Sequence, residues 1–480
     1  MKPLVRNSIA MGLFNVFGRA SGFIRYILLV RFLNDPAFAL ITYGFSIGRL
    51  CRTFMDGGLD HLISRDGSRK REDLPPFLAQ GAFIKAGLGV FFFLAAAYYL
   101  RGFEGFTSFQ LLIVFISLTG SAFTSICGLL RSGFAAIERM EFILLTNVPA
   151  RFFSIALLAV ILVMQGPLVA VAAAIALEGI LWLLLLLRAA RRRLPRLRWQ
   201  VSARGLRYMV GESWSLALYS FFTVLYLSLD VLMIQALMSL EDVAAYTIAS
   251  QLIEGINMLV SSYLLAVFPV LSRSFTEDDA AYQRLFRQSF RLLLIITLPI
   301  AGLLAGWPQQ WLDLIRDTGP ETPAVLRILA ANLPLTMINT LLIFTFTTRN
   351  RQIWLVGFTT LAVLLSVAAN ALLIPLYQQS GAAMASLLTQ AVLFIIIGAS
   401  ALRLFPLSVD ALRALGLVAV TLLALACTQW IEAPVIIPAA LFGLCWLALA
   451  WLLRLIDRDD VKRLGRALQT KSPPQHRPQA

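Results

Sequence analysis

Apolar runs about as long as a helix needs to cross a bilayer's hydrocarbon core, roughly 20 residues, recur from end to end of this chain. They constrain it to an all-α polytopic membrane protein. No amphipathic, solvent-facing helices separate the runs. A soluble domain of 480 residues with 59% apolar and only 14% charged residues would also lack the charge to cover its surface. Spans are predicted at residues 8–33, 37–63, 78–100, 106–130, 142–164, 167–187, 209–237, 243–271, 288–306, 323–348, 353–376, 381–402, 411–430 and 434–453, about 14 transmembrane helices in all.

The formal net charge of +15 reads as a topology signal and not as a nucleic-acid footprint. An even number of spans puts both termini on one side. Of the 41 Lys and Arg residues, 31 lie in, or within one helical turn of, the segments on that side. Arg101 and Arg316 lie in the opposite loops, and eight lie inside spans. Positive loops are retained in the cytoplasm, so the N- and C-termini are predicted to be cytoplasmic. The arginine-rich segment 188–207 is an orientation anchor that can also touch anionic membrane lipids.

Several chemistries find no support. The apolar stretch after Lys2 and Arg6 continues to Leu33 with arginines inside it, unlike a cleavable signal. Cys51, Cys127, Cys427 and Cys445 all fall in apolar runs, and the two histidines, His61 and His476, have no clustered thiols. Neither a disulfide framework nor a metal site is expected. No glycine-rich phosphate loop and no nucleophile–base set is legible, so no cofactor, ATP hydrolysis or other enzymatic step is expected. The longest outer loop, 307–322, carries Asp313 and Asp317 as solvated residues and is too short for a catalytic domain.

The chain also repeats itself weakly. Segment 37–65 aligns with 243–273, matching Tyr43 to Tyr246 and ending in Arg65 and Arg273. Residues 166–179 resemble 381–391, and Arg139 matches Arg351. Two six-helix lobes follow as a parallel pseudo-repeat: an N-lobe at 1–204 and a C-lobe at 205–405. An additional helix pair occupies 406–456, and a polar, disordered tail 457–480.

Charges inside spans are the functional signal. Each costs roughly 2.5–3.5 kcal/mol at mid-bilayer. The first half carries Arg19, Arg25, Arg31, Arg49, Arg52, Lys85 and Arg151 against Asp56, Asp60 and Glu178. The second half carries Arg327 against Asp230 and Glu254. Arg49, Arg52, Asp56 and Asp60 fall on one helical face, where Arg52 and Asp56, one turn apart, can neutralise each other. Arg31 can snorkel outward and Lys85 inward. Arg19, Arg25 and Arg151 have neither an in-helix partner nor an interface. A cationic cavity that includes Arg19, Arg25, Arg49, Arg52, Lys85 and Arg151 suits a large anion, because guanidinium binds phosphate oxygens bidentately and keeps its proton when buried. Asp56, Asp230 and Glu254 are candidate coupling or structural acids. Pro149, Pro269, Pro299 and Pro334 supply bends to helices that move.

Several segments resemble a known family. RTFMDGGLDHLISR (52–65), VAAYTIASQLIE (243–254), FPVLSR (268–273), NALLIP (370–375) and GAA (381–383) are similar to patterns of the polysaccharide and oligosaccharidyl-lipid flippases. Their superfamily also holds the multidrug and toxin extrusion transporters. The likeness covers residues 5–455. GRASGFIR (18–25) and RLCRTFMDGG (49–58) are also similar to the start of lipid II flippases. There, two first-span arginines and one second-span arginine line the substrate cavity, which corresponds here to Arg19, Arg25 and Arg52. Where that family has an eighth-span arginine, this chain has Gln251, beside Glu254.

The resemblance implies alternating-access translocation, across the cell inner membrane, of an undecaprenyl-diphosphate-linked oligosaccharide for O-antigen or exopolysaccharide. A polysaccharide polymerase would be the expected partner. Lipid II is the alternative substrate, and a cation-coupled multidrug exporter the further alternative.

The orientation is directly testable. Reporter fusions after Arg101, Gln165 and Ser380 should report the outer side, and those after Arg71, Arg193 and Arg351 the inner side. Inverted reporters throughout would overturn the assignment.

Overall fold

The computed structural model describes residues 2–103, 105–194, 201–238, 240–277, 279–315, 318–349, 351, 353–405, 407–430, 436–453 and 455. Arg316 and the tail from 457 onward lie outside the described residues, as does the side chain of Arg19.

Every regular element among the described residues is helical. α1 (Lys2–Phe32) leads to α2 (Asp35–Asp56), which Asn34 caps by accepting the Ala37 backbone N–H at 3.1 Å, with Pro36 in the first turn. α2 stops at Gly57, whose φ of +45° is left-handed. A side chain would strain that conformation, so glycine ends the helix here. Gly58 follows at φ +71° and opens α3 (Leu59–Arg69). The single span expected over 37–63 is therefore two helices, broken between Asp56 and Asp60.

α4 (Leu74–Gly102) has Pro75 in its first turn, and α5 (Ser108–Ala136) begins with a capping box between Thr107 and Gln110. α6 (Glu141–Val163) contains Pro149, and α7 (Leu168–Arg193) and α8 (Ala203–Leu237) follow. Then come α9 (Leu240–Glu277), α10 (Asp279–Gly306), the short α11 (Pro308–Asp313) and α12 (Glu321–Thr348). α13 (Ile353–Leu404) is two helices run together across Gln378, whose backbone is non-helical, where the sequence predicts two spans. α14 (Ala411–Thr428) and α15 (Ile436–Leu452) come last. Ten helices among the described residues are long and apolar enough to cross a membrane, with α13 counted once. The polytopic all-α architecture read from the sequence is the one observed.

By contacts the chain forms two compact units, 1–252 with 315–325 and 356–389, and 253–314 with 326–355 and 390–480. In the first unit α5 is central, packing on α2, α3, α4 and α7. α7 packs in turn on α6, α6 on α1, and α2 on α8. Leu59, Ile63, Leu78, Phe134, Trp182 and Leu186 build a continuous apolar core at one end of this bundle. Near that core Arg65 on α3 meets Glu212 on α8 at 3.2 Å, and the Tyr208 hydroxyl donates to Asp66 at 2.9 Å. That carboxylate pushes the Tyr208 hydroxyl above its usual range.

In the second unit α10 packs on α14 and α15, and the buried Trp446 indole donates to Thr421 Oγ1 at 2.9 Å. Arg349 reaches Asp279 at 2.9 Å while its guanidinium lies over the rings of Tyr282 and Phe405 at 4.9 and 4.8 Å.

Candidate functional site

The intramembrane charges of the first unit sort into two clusters of different character. The first centres on Lys85, whose side chain is fully buried. It lies 11 residues into α4, about 16 Å at 1.5 Å per residue. Its ammonium donates to Asp56 at 2.8 Å, to Asp60 at 2.7 Å and to the Ser125 carbonyl at 2.8 Å, which uses all three of its protons. The Ser125 hydroxyl also donates to Asp56, at 2.5 Å, and Arg131 approaches Asp60 at 3.8 Å. Two cations meet two carboxylates, so the set is neutral.

The Gly57–Gly58 break makes this possible, because it turns Asp60 back toward the same ammonium that Asp56 reaches. Gly128 on α5 leaves room for the Asp60 carboxylate, which a Cβ there would strike. Asp56 accepts hydrogen bonds from Lys85 and Ser125, while Arg52, one turn away, feels its charge without a direct ion pair. One sequence expectation is corrected: Lys85 does not snorkel inward but ends deep in the bundle.

The second cluster centres on Glu178, 8% exposed and ten residues into α7. One carboxylate oxygen takes the Arg151 Nε–H at 2.7 Å. The other takes an N–H from Arg25 of α1 in a short contact. Arg151 also donates to the Ser21 hydroxyl at 3.2 Å. Arg151 stands 12 residues before the end of α6, and that end joins the start of α7, so it and Glu178 sit at similar depth, roughly 15–18 Å down their helices. The two arginines keep 18% and 20% of their side chains exposed. They line a cavity of about 160 Å³ together with Arg52, Glu178 and the hydroxyl-bearing Ser117, Ser121 and Thr124. Among the described residues, three guanidiniums against one carboxylate leave a net charge of +2 on its wall.

Of the six cations grouped from the sequence, Arg25, Arg52 and Arg151 line this cavity. Arg49 is half-buried on α2 and does not line this cavity, and Lys85 belongs to the neutral cluster. The side chain of Arg19 lies outside the described residues. Asp230 accepts from the Tyr246 hydroxyl and from Asn370 at 2.9 Å, while Glu254 is exposed on α9. Sequence reasoning counted Glu178 among the acids set against the first-half cations and assigned it no site role. Its depth matching that of Arg151 across the 164–167 turn is the signal that would have paired them.

A family model described as polysaccharide biosynthesis protein matches residues 4–275, and a MatE model matches 216–348. No curated protein sequence matches the chain. Among solved structures, the lipid II flippase MurJ in an inward closed conformation superposes with a TM-score of 0.76 at 13% identity. The match covers 94% of this chain and 98% of that one. An inward-facing multidrug resistance MATE transporter gives 0.59 at 15% identity, covering 83% and 98%. A transporter of the same superfamily from Pyrococcus furiosus gives 0.56 at 15%, covering 84% and 96%. At these identities the likeness is one of fold.

The neutral cluster predicts a stability effect. Lys85→Met strands Asp56 and Asp60 inside the bundle and should cost about 3–5 kcal/mol, seen as a lowered melting temperature and abundance in detergent. The triple change Lys85→Met, Asp56→Asn, Asp60→Asn should recover most of that loss. Equal melting of Lys85→Met and wild type would refute the structural role.

Proposed function

The chain belongs to the polysaccharide biosynthesis protein family, whose model matches more than half of it, and from that premise we propose that it flips an undecaprenyl-diphosphate-linked oligosaccharide across the cell inner membrane. The observation that carries this reading is the Arg25–Arg52–Arg151 wall of the mid-membrane cavity, with its net charge of +2. Charge of one sign at that depth is expensive and is kept where it meets a ligand of the other sign. Guanidinium forks match phosphoryl oxygens in a way a point charge does not. The cavity as it stands is on the scale of a phosphoryl group and far smaller than a lipid-linked sugar, so admitting the rest of the substrate requires a change of conformation. This is the alternating-access scheme suited to parallel repeats.

Lipid II remains the second reading. Its support is the fold shared with a lipid II flippase and the arginines Arg25 and Arg52 at the positions the first-span and second-span likeness marks. Both substrates offer the same diphosphate, so the cavity alone does not choose between their sugars. In either case the protein binds and moves its substrate without making or breaking bonds, and a polymerase acting on the delivered repeat unit is the natural partner for the first.

Asp230 is the best-placed acid for ion coupling. Tyr246 and Asn370 hold its carboxylate as a formed polar site, whereas Glu254 is exposed. Asp230→Asn should abolish the ion dependence of export while the protein stays in the membrane. Unchanged ion dependence would remove Asp230 from the coupling role.

The arginines give the decisive test of substrate class. Arg25→Ala leaves Glu178 paired with Arg151, and Arg151→Ala leaves it paired with Arg25, so neither change orphans the buried acid. Each should reduce polysaccharide export at least about tenfold at normal abundance, the scale of one charge-assisted hydrogen bond. Arg25→Lys and Arg151→Lys should recover only part of it, because the bidentate geometry is lost. Export in a strain lacking its own flippase, with immunoblots for membrane level, is the assay. Normal export by both alanine variants would leave the anionic-cavity reading without support.

A further inference from the structure

An anion site has no evident use for a carboxylate at its centre, yet Glu178 sits between the two arginines that face the cavity. We propose that Glu178 is a resident counter-ion that the substrate's phosphoryl group displaces, so that it sets the charge a ligand must carry to enter. The inference rests on the reading of this cavity as a phosphate site and names what that site selects.

The geometry is that of an occupied oxyanion site. Each Glu178 oxygen takes one arginine, Arg25 from α1 and Arg151 from α6, and a phosphoryl group presents two oxygens in a similar arrangement. The acid thereby holds guanidiniums from two different helices in the positions a phosphate needs, although like charges left to themselves would move apart. Its own side chain is 10% exposed, while the arginines are about twice as exposed and line the cavity. The Arg25 Nε–H, buried and without a hydrogen-bond partner, shows that the acid does not satisfy the pair fully. The Ser121 hydroxyl lines the same cavity and offers the displaced carboxylate another donor.

Charge then decides what can displace it. A tethered carboxylate competes at high effective concentration. A ligand with a single negative charge would replace one −1 with another and gain nothing. A diphosphate diester carries about two negative charges near neutral pH and gains Coulomb attraction to both arginines and to Arg52. The surrounding membrane is made of phosphodiesters whose phosphate bears one charge each. A cavity with three bare arginines would be filled by them, and Glu178 excludes them by rejection of the wrong ligand.

The test uses the full chain in detergent with two probes, inorganic pyrophosphate and the monoanion dimethyl phosphate, read by calorimetry and by ligand-induced melting shifts. Wild type should bind pyrophosphate and ignore dimethyl phosphate. Glu178→Gln should bind pyrophosphate about tenfold tighter and should now bind dimethyl phosphate. Glu178→Asp, one methylene shorter and unable to span both arginines, should fall between. That variant also keeps the test usable should the glutamine variant fold poorly. A structural ion pair would change melting without ligand but leave the ratio between the two probes where it was.

The displacement idea fails if pyrophosphate binding is lost in Arg25→Ala yet the probe ratio is the same with Glu, Asp or Gln at position 178. It also fails if Glu178→Gln binds pyrophosphate more weakly than wild type, which would make the acid an organiser of the arginines. Pyrophosphate that binds none of these proteins, together with normal export by Arg25→Ala, would instead remove the phosphate site itself.

Discussion

A lysine with no exposed side-chain surface, donating to two carboxylates and a backbone carbonyl, is the constraint around which the first unit is arranged. An ammonium at that depth would be prohibitively costly alone, and so would two aspartates. Their mutual pairing makes each tolerable only while all are in place. The Gly57–Gly58 break, the absence of a side chain at Gly128 and the Ser125 carbonyl all serve that one meeting. Because Asp56 ends α2, Asp60 begins α3, Lys85 sits on α4 and Ser125 on α5, four helices are fixed relative to one another by a single polar knot. A buried ion cluster of this kind adds little net stability over an apolar core, but it penalises every misregistered packing.

That knot also clarifies what the second cluster is for. Both clusters contain arginine or lysine beside acids, and composition alone treats them as one cationic set. The structure separates them by balance. Lys85 and Arg131 meet Asp56 and Asp60 as a balanced set, whereas Arg25 and Arg151 share the single carboxylate of Glu178, with Arg52 on the same cavity wall. Neutral sets are what a static membrane bundle settles into. An uncompensated pair of charges lining a void is a cost the fold does not need, and a ligand of opposite sign is the simplest reason to keep it.

Much of this is legible in the sequence, and the rest fails for a definite reason. The helices follow from run length, and even the Gln378 discontinuity in α13 falls between two spans predicted separately. Arg25 and Arg151 stand out because helical periodicity gives them no partner within their own helix. The same one-helix reasoning puts Asp60 on one face with Arg49, Arg52 and Asp56, and there it misleads, because it carries the α2 face straight through two glycines. The partners of Lys85 and Glu178 lie 25 to 153 residues away in sequence. Packing brings them together, and helical periodicity within one span carries no signal of it.

The depth argument is what remains usable without a structure. In two antiparallel helices joined by a tight turn, residues equally far from the turn lie side by side. Arg151 and Glu178 flank the 164–167 turn at 12 and 10 residues from the helix ends. With 1.5 Å of rise per residue they differ in depth by about 3 Å, within reach of two long side chains. Lys85 and Ser125, on α4 and α5, lie 17 residues from their facing ends in both cases. A charge in one hairpin arm therefore has a short set of possible partners in the other, found by counting from the turn. Arg25 is the exception: α1 and α7 share no turn, and its place at Glu178 comes from α1 packing on α6. Of the three groups in the Glu178 ion cluster, the acid and one arginine are thus fixed by a local hairpin, and the second arginine is supplied by a neighbouring helix. That is an arrangement in which a shift of α1 changes the site's charge without disturbing the pair beneath it.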